Sequence, residues 1–357
     1  MLATGLYKDG ILVKTWEDLI NEGDIVVNSD TLSSVITRSL TDKLVVPNTI
    51  RNIQARAFFV CKSLKEIVLP DSIKDIGEDA FHGCHNLEKV NIPPLVNRIA
   101  EQTFRDCWEL RTIDIQGKLE KIGERAFYQC IHLESIELQD TLINIGEGAF
   151  AECARLSSIT LPNSLETIEA QIFYNCNNLH EVKIPNTVKD IKYGAFHNCY
   201  NLEIVELPEG IKSVGESAFC GCSKLESITL PPLLEHLDEK AFMFCENLKE
   251  IKIPINITEI RDSVFMQCKE LERIDFTRTL QKINEFAFTG CVKLFSKYDV
   301  KDGKELAEIL LSNNQPSKSE ILDMSVYESI PEATRHLYGE TPEEIVKNYL
   351  EAHQGEN

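Results

Sequence analysis

Residues 161–179 read Leu161-Pro-Asn-Ser-Leu165-Glu-Thr-Ile168-Glu-Ala-Gln-Ile-Phe173-Tyr-Asn-Cys176-Asn-Asn-Leu179, and this pattern returns every 23 residues along most of the chain. One phenylalanine marks each copy without a slip in register. The eleven are Phe58, Phe81, Phe104, Phe127, Phe150, Phe173, Phe196, Phe219, Phe242, Phe265 and Phe288. A cysteine follows each phenylalanine by three residues, and a leucine follows each cysteine by three. A fixed period of this length predicts a solenoid, in which each repeat buries its apolar face only against its neighbours.

Each repeat contains a segment typical of a short β-strand. Residues Leu64–Pro70 carry apolar side chains at the first, fourth and sixth places, as expected for a strand with one buried face. Equivalent strands would pair in parallel as one sheet, about 4.8 Å apart. A proline ends the strand in most repeats because it has no N–H to donate. Two aliphatic residues then follow, such as Ile73 and Ile76, and predict a second layer of the core.

A glycine and an acidic residue follow this second layer in several repeats. Gly77, Gly123, Gly146 and Gly215 occupy one equivalent position, which predicts a tight bend that glycine adopts freely. The next residue is acidic in eight of the eleven repeats, and we expect it to begin a short helical turn, whose N–H groups favour negative charge. A cation-binding ladder is the weaker interpretation. The acidic residues are Glu78, Glu101, Glu124, Glu147, Glu216, Glu239, Asp262 and Glu285.

Eleven of the twelve cysteines stand at the repeated position between the core phenylalanine and leucine, so we interpret them as small buried hydrophobic residues. Equivalent side chains point the same way, which places neighbouring Cβ atoms beyond disulfide distance. Cys220 stands at an outward position and is expected to be a free surface thiol. His82-Gly-Cys84-His85 resembles a metal cluster only superficially, because the next repeat holds Arg105 and Trp108 at the histidine positions. We therefore expect no metal site and no cofactor.

The composition limits the classes of partner. The chain has 37 basic and 57 acidic residues and a net charge of −20, which disfavours nucleic acid binding, as does the absence of a basic stripe. It contains no HExxH, GxSxG, phosphate-binding loop or Cys/His zinc spacing, so an enzyme is not expected. The outward residues of the strands are mixed in charge and do not converge, so no small-molecule substrate is expected either.

The positions after the core phenylalanine and after the cysteine are expected to be exposed on the turns. They hold large apolar or aromatic groups in neighbouring repeats: Trp108, Tyr128, Ile131 and Tyr174. Equivalent residues of adjacent repeats lie about 5 Å apart, so these side chains would form a partly apolar strip. A contiguous exposed apolar patch is typical of a contact surface. We predict a protein-binding patch at these four residues, the alternative being ordinary turn residues folded onto the solenoid.

The repeat, as it stands in residues 161–179, resembles the BspA-like class of leucine-rich repeat proteins over about residues 41–298. This resemblance implies an α/β solenoid, a right-handed superhelix of eleven 23-residue repeats with a parallel β-sheet on the concave face. It also implies adhesion to host or matrix proteins by protein–protein contact, without catalysis. The family has no shared binding motif, so the resemblance assigns no site residues.

The two ends of the chain depart from the repeat and predict caps over the exposed core. Residues 1–40 predict an N-terminal α/β cap with a hairpin turning at Asp9-Gly10 and a short helix starting at Thr15. Residues 41–298 are predicted to form the leucine-rich repeat solenoid. Residues 299–357 predict a C-terminal helical cap or tail, with one helix near Asp302–Leu311 and another beginning at Thr341.

The leading functional interpretation is a non-enzymatic protein–protein interaction scaffold resembling BspA-like surface adhesins. The alternative is an intracellular or prophage-associated spacer whose terminal segments make the contacts. The first residues form neither the basic nor the apolar region of a signal peptide, and no run of 18 apolar residues offers a membrane span. The sequence alone thus favours the cytoplasm, whereas the family resemblance implies the cell surface or secretion.

Overall fold

The computed structural model describes residues 3–35, 42–277 and 279–313. The chain comprises two compact units, Met1–Ala307 and Glu308–Asn357, and every repeat lies in the first. The helix predicted from Thr341 lies outside the described residues.

The N-terminal segment folds into two hairpins and a helix. Asp9 and Gly10 both have positive φ and turn the chain between the first two strands. Thr15 and Asp18 form a capping box at the start of the helix, as the sequence pattern predicts. The elements are β1 (Gly5–Lys8), β2 (Ile11–Thr15), α1 (Trp16–Asn21), β3 (Ile25–Asn28) and β4 (Thr31–Val35).

Each repeat then contributes one longer and one two-residue strand, with few exceptions, and two helices follow the last repeat. In chain order these elements are β5 (Asp42–Val45), β6 (Asn52–Ile53), β7 (Leu64–Val68), β8 (Asp75–Ile76), β9 (Lys89–Ile92), β10 (Arg98–Ile99), β11 (Thr112–Ile115), β12 (Lys121–Ile122), β13 (Asn144–Ile145), β14 (Ser158–Thr160), β15 (Thr167–Ile168), β16 (Glu181–Lys183), β17 (Asp190–Ile191), β18 (Ile204–Glu206), β19 (Ser213–Val214), β20 (His236–Leu237), β21 (Glu250–Ile253), β22 (Glu259–Ile260), β23 (Arg273–Phe276), β24 (Lys282–Ile283), α2 (Val292–Tyr298) and α3 (Gly303–Asn313).

The strands form two sets of parallel ladders, which confirms a parallel-sheet β-solenoid of about eleven turns. The longer strands make sheets β11-β9-β7-β5-β1-β2, β14-β16-β18 and β21-β23, with β1 and β2 added antiparallel. The single sheet expected from the sequence is thus divided. Residues 133–138 form no assigned strand, and Ser227 makes only an isolated bridge to Glu250.

The second layer of aliphatic residues forms its own ladders. The two-residue strands make sheets β10-β12-β13, β15-β17-β19-β20 and β22-β24, and β6 and β8 extend the hairpin of β3 and β4 in the sheet β3-β4-β6-β8. The inward residue of each, such as Ile76 or Ile122, is buried. The predicted second layer is therefore present and also carries hydrogen bonds between repeats, which the sequence pattern did not reveal.

The segment around each core phenylalanine is a series of turns, where the sequence suggested a helical turn. Arg56, Phe58 and Val60 each donate their backbone N–H to a carbonyl 22 residues later, at 3.0, 2.8 and 2.7 Å. Positions two before and two after the phenylalanine have positive φ in nearly every repeat. This alternation presents every second N–H to the next repeat and prevents a helix.

The repeated glycines serve a purpose different from the one predicted. Gly77, Gly123, Gly146 and Gly215 do not have positive φ. A Cβ atom built on Gly146 would instead lie 2.6 Å from the backbone nitrogen of Glu124. The glycine is therefore selected by the close approach of the preceding repeat's backbone.

The core phenylalanines form one continuous column of stacked rings. Neighbouring ring centroids lie 4.9–5.9 Å apart with interplanar angles of at most 20°. All eleven side chains are fully buried. Burial of such large rings supplies much of the apolar stabilisation between repeats.

The repeated cysteines line the core beside these rings. From Cys84 to Cys291, each Sγ of the column donates to the carbonyl oxygen of the phenylalanine in the preceding repeat, at 3.0–3.3 Å. A thiol is small enough for this space and gives the carbonyl a second donor, beside the backbone N–H of the cysteine in the same repeat. Within the described residues every cysteine is a free thiol, and all are buried.

Cys220 corrects one expectation, because it is not a surface thiol. Its side chain is only 6% exposed. It lies at the position after the core phenylalanine, between the larger His197 and Met243 of the adjacent repeats, and these cover a small side chain. Burial raises the pKa of Cys220 to about 11.

We expect the native protein to resist thiol reagents at pH 8. All twelve cysteines are buried, and burial raises the pKa of each, so little reactive thiolate forms. Titration with a chromogenic disulfide reagent should find fewer than about one thiol in the folded protein and all twelve in denaturant. Rapid reaction of several thiols without denaturant would contradict the buried column.

Candidate functional site

The turn segments carry the four side chains that the sequence proposes as a binding surface. We call Trp108, Tyr128, Ile131 and Tyr174 the Trp108 surface. Trp108 is 41% exposed, whereas the other three are half-buried. Tyr128 and Tyr174, each directly after a core phenylalanine, are therefore less exposed than expected, because Arg105 packs on Tyr128 and His197 stacks on Tyr174.

Trp108 is held by two histidines. Its indole stacks on the imidazole of His85, with ring centroids 3.8 Å apart and planes inclined by 5°. Its carbonyl oxygen accepts the backbone N–H of His132 at 3.2 Å, and Nδ1 of His132 lies 2.9 Å from the same oxygen. Burial, assisted by the charge of Lys62, lowers the pKa of His85. The neutral imidazole therefore predominates at pH 7, and Trp108 is a rigid, partly exposed aromatic group.

Tyr128 is also fixed by its neighbours. The guanidinium carbon of Arg105 lies 5.0 Å from the centroid of its ring, within range of a cation–π contact. The Tyr128 hydroxyl donates to Glu152 at 2.9 Å, and Glu152 accepts a second hydrogen bond from Gln129 at 2.8 Å. Burial and the bond to Glu152 raise the pKa of Tyr128, so its hydroxyl stays protonated.

The structure places the four predicted residues in three repeats. Trp108 lies in the repeat before Tyr128, and the two segments are joined by the N–H of Asp106, which donates to the carbonyl of Tyr128 at 2.8 Å. Tyr174 lies two repeats beyond Tyr128 and stacks on His197 at 5.0 Å. Ala151 occupies the equivalent position between the two tyrosines and is 2% exposed. The tyrosines thus border a repeat that has a small side chain on this face.

Three supporting residues were missed at the sequence level: His85, Arg105 and Glu152. His85 and Arg105 each stand 23 residues before the aromatic residue they contact, and Glu152 stands 24 after Tyr128. The repeat length was therefore the signal that could have identified them.

The outward face of the longer strands has a different character. Ion pairs join neighbouring repeats there, as between Lys43 and Glu66 at 3.0 Å and Arg273 and Glu250 at 2.7 Å. Shallow grooves of about 490 and 500 Å³ run along the strand ends near Pro185. Among the residues described, no group of three or more histidine, cysteine or acidic side chains is arranged to hold a metal ion. In the same part of the chain, no helix is both long and apolar enough to cross a membrane.

The profile of the BspA-type leucine-rich repeat region matches this chain in overlapping segments, residues 36–156, 97–209, 143–271 and 189–313. These segments cover well over half of the sequence. Together with the parallel ladders and stacked phenylalanines, they show that the chain belongs to the BspA-type leucine-rich repeat family.

Solved structures of bacterial leucine-rich repeat proteins are similar to this chain. One from Bacteroides ovatus is 25% identical, with a TM-score of 0.63, over 76% of this chain and 79% of that one. The T. pallidum leucine-rich repeat protein is 28% identical, with a TM-score of 0.46, over 50% of this chain and 86% of that one. A leucine-rich cell surface protein from Faecalibacterium prausnitzii is 26% identical, with a TM-score of 0.44, over 71% of this chain and 86% of that one. No curated protein matches the sequence.

Proposed function

We propose that this protein is a non-enzymatic protein–protein interaction scaffold of the adhesin type, which binds a host or matrix protein through the Trp108 surface. The single observation that carries the proposal is the stacking of Trp108 on His85, which holds a tryptophan side chain 41% exposed at the surface, one repeat before Tyr128. Membership in the BspA-type family supports the general role of a protein-binding repeat scaffold.

The chemistry of the Trp108 surface suits protein recognition. Tryptophan, tyrosine and arginine are the residues most enriched at binding hot spots, and Trp108, Tyr128 and Arg105 lie in two adjacent repeats. Each is held by a stacking or hydrogen-bonding partner within the protein. Because these side chains lose little freedom on binding, the entropic cost of association is reduced.

The double variant Trp108→Asn/Ile131→Ala tests the proposal. Asn177 and Ala154 occupy the equivalent positions in later repeats, so the variant keeps residues that the repeat already accommodates. We expect at least about tenfold weaker binding to a purified extracellular-matrix protein bound by the wild type, because the aromatic anchor is lost. Surface plasmon resonance against a panel of such proteins, with circular dichroism to verify the fold, measures the effect.

Ile204→Ser is the matched control. Ile204 is 53% exposed on the strand face, and serine stands at the equivalent positions Ser158 and Ser227. The control should bind like the wild type. Undiminished binding by the double variant, or an equal loss in the control, would show that the Trp108 surface is not the contact.

A further inference from the structure

A second surface on the turns is centred on Phe244, a bulky aromatic residue at a position where every repeat has positive φ. Phe244 has φ of 60°, in the left-handed region that bulky residues rarely adopt. The equivalent position elsewhere holds small or polar residues apart from Val60: Gly83, Asp106, Gln129, Glu152, Asn175, Asn198, Gly221, Gln267 and Gly290. A strained residue persists when the surrounding structure fixes it, and such residues concentrate at functional positions.

The Phe244 ring is exposed, and two methionines stand close to it, one at the preceding residue and one in the next repeat. Phe244 is 41% exposed, while Met243 and Met266 are half-buried in adjacent repeats. The N–H of Phe244 donates to the carbonyl of Met266 at 2.8 Å, and that of Gly221 donates to Met243 at 2.7 Å. We call Met243, Phe244 and Met266 the Phe244 patch. Flexible, polarisable thioethers beside an aromatic ring adapt to apolar side chains of varied shape.

The border of the Phe244 patch is acidic. Lys240 lies 3.3 Å from Glu216, and the pKa of Lys240 is raised by this hydrogen bond and by the charges of Glu216, Glu239 and Asp262. The charge of Lys240 also acts on Cys220, which occupies the position of Met243 in the preceding repeat. In the repeats that carry the patch, three carboxylates thus act on one ammonium, whereas Glu246, two residues after Phe244, is balanced by Lys269 at 2.8 Å.

We propose that the Phe244 patch binds a segment of another protein that places a bulky apolar side chain next to lysine or arginine. The exposed ring and the methionines accept the apolar group, and the surplus carboxylates attract the basic ones. This surface lies five repeats from Tyr128, because Phe127 and Phe242 are 115 residues apart. It goes beyond the Trp108 surface, and either surface can fail a test without the other.

Phe244→Asn separates binding from folding. Asparagine stands at the equivalent Asn175 and Asn198, where it adopts the same left-handed conformation. The variant should therefore be at least as thermally stable as the wild type, since it relieves strain. The probe is a fluorescent 18-residue amphipathic peptide of leucine and lysine, with a leucine–glutamate peptide of equal length as its counterpart.

Fluorescence anisotropy measures the affinity of each peptide. We expect the wild type to bind the leucine–lysine peptide at least about tenfold more tightly than it binds the leucine–glutamate peptide. We also expect Phe244→Asn to bind the leucine–lysine peptide at least about tenfold more weakly than the wild type does. Glu239→Gln/Asp262→Asn should weaken binding and flatten its salt dependence, and Ile204→Ser should leave binding unchanged. Equal affinity of wild type and Phe244→Asn, or of the two peptides for the wild type, would overturn the proposal. So would a lower melting temperature of Phe244→Asn, which would make the ring a structural element.

Discussion

Replacing Phe150 with alanine is expected to lower the free energy of unfolding by about 3–5 kcal/mol. The Phe150 side chain is fully buried, and its ring lies between Phe127 at 5.4 Å and Phe173 at 5.9 Å. Removal of the ring leaves a cavity in the middle of the column. The turn segments on both sides are tied by backbone hydrogen bonds and relax only partly into that space.

Urea denaturation followed by far-ultraviolet circular dichroism measures this loss. Phe286→Ala is the matched control, because Phe286 is 52% exposed and its removal opens no cavity. The control should change the free energy of unfolding by less than about 1 kcal/mol. A loss for Phe150→Ala no larger than that of the control would mean that the stacked column contributes little to stability.

The repeated columns could be predicted because each repeat imposes the same demand on the same position. Phe150, Cys153 and Leu156 are all fully buried, as their spacing predicts. Their burial is a property of side-chain chemistry, and hydrophobic periodicity reports such chemistry directly. The parallel pairing of strands follows from equal repeat lengths and needed no further information.

Features that depend on distances between repeats could not be predicted from one repeat. The role of Gly146 arises from the backbone of Glu124, and the burial of Cys220 arises from the larger side chains on either side of it. Such effects arise from contacts between two adjacent repeats, which the sequence of a single repeat does not show.

The candidate site, too, could be predicted only in part from the sequence. The residues of the Trp108 surface were predicted as large side chains at turn positions. The contacts that fix Trp108 and Tyr128, however, come from residues 23 or 24 positions away in the chain. The importance of Phe244 was harder to predict from the sequence, because it depends on a left-handed backbone conformation that asparagine and glycine adopt at the equivalent position of other repeats. Mixed Gly, Asn and Asp at one repeated position is the signal of a left-handed residue, and a bulky exception marks a position to test.

Gly146→Ala is expected to lower the free energy of unfolding by about 1–3 kcal/mol, although alanine usually stabilises a chain by restricting its unfolded state. The added Cβ would lie 2.6 Å from the nitrogen of Glu124 and 2.9 Å from the carbonyl carbon of Gly123. Both atoms are backbone, so no side chain can rotate away. Relief requires the two repeats to separate, which strains the 2.8 Å hydrogen bond from Gly146 to Ile122.

Gly210→Ala provides the opposite expectation within the same molecule. A Cβ on Gly210 would meet its nearest atom, the carbonyl oxygen of Asn186, at an ordinary 3.7 Å, and Gly210 does not have positive φ. This variant should be unchanged or more stable by about 0.4–1 kcal/mol. Lys192 and Arg261 stand at the position of Gly146 in other repeats. The loss of stability expected for Gly146→Ala therefore reflects the distance between the two repeats at Gly146, and not a requirement of every repeat. Urea titrations of the two variants measure the difference. If both variants changed the free energy of unfolding in the same direction by the same amount, close backbone approach would not be the reason for glycine at position 146.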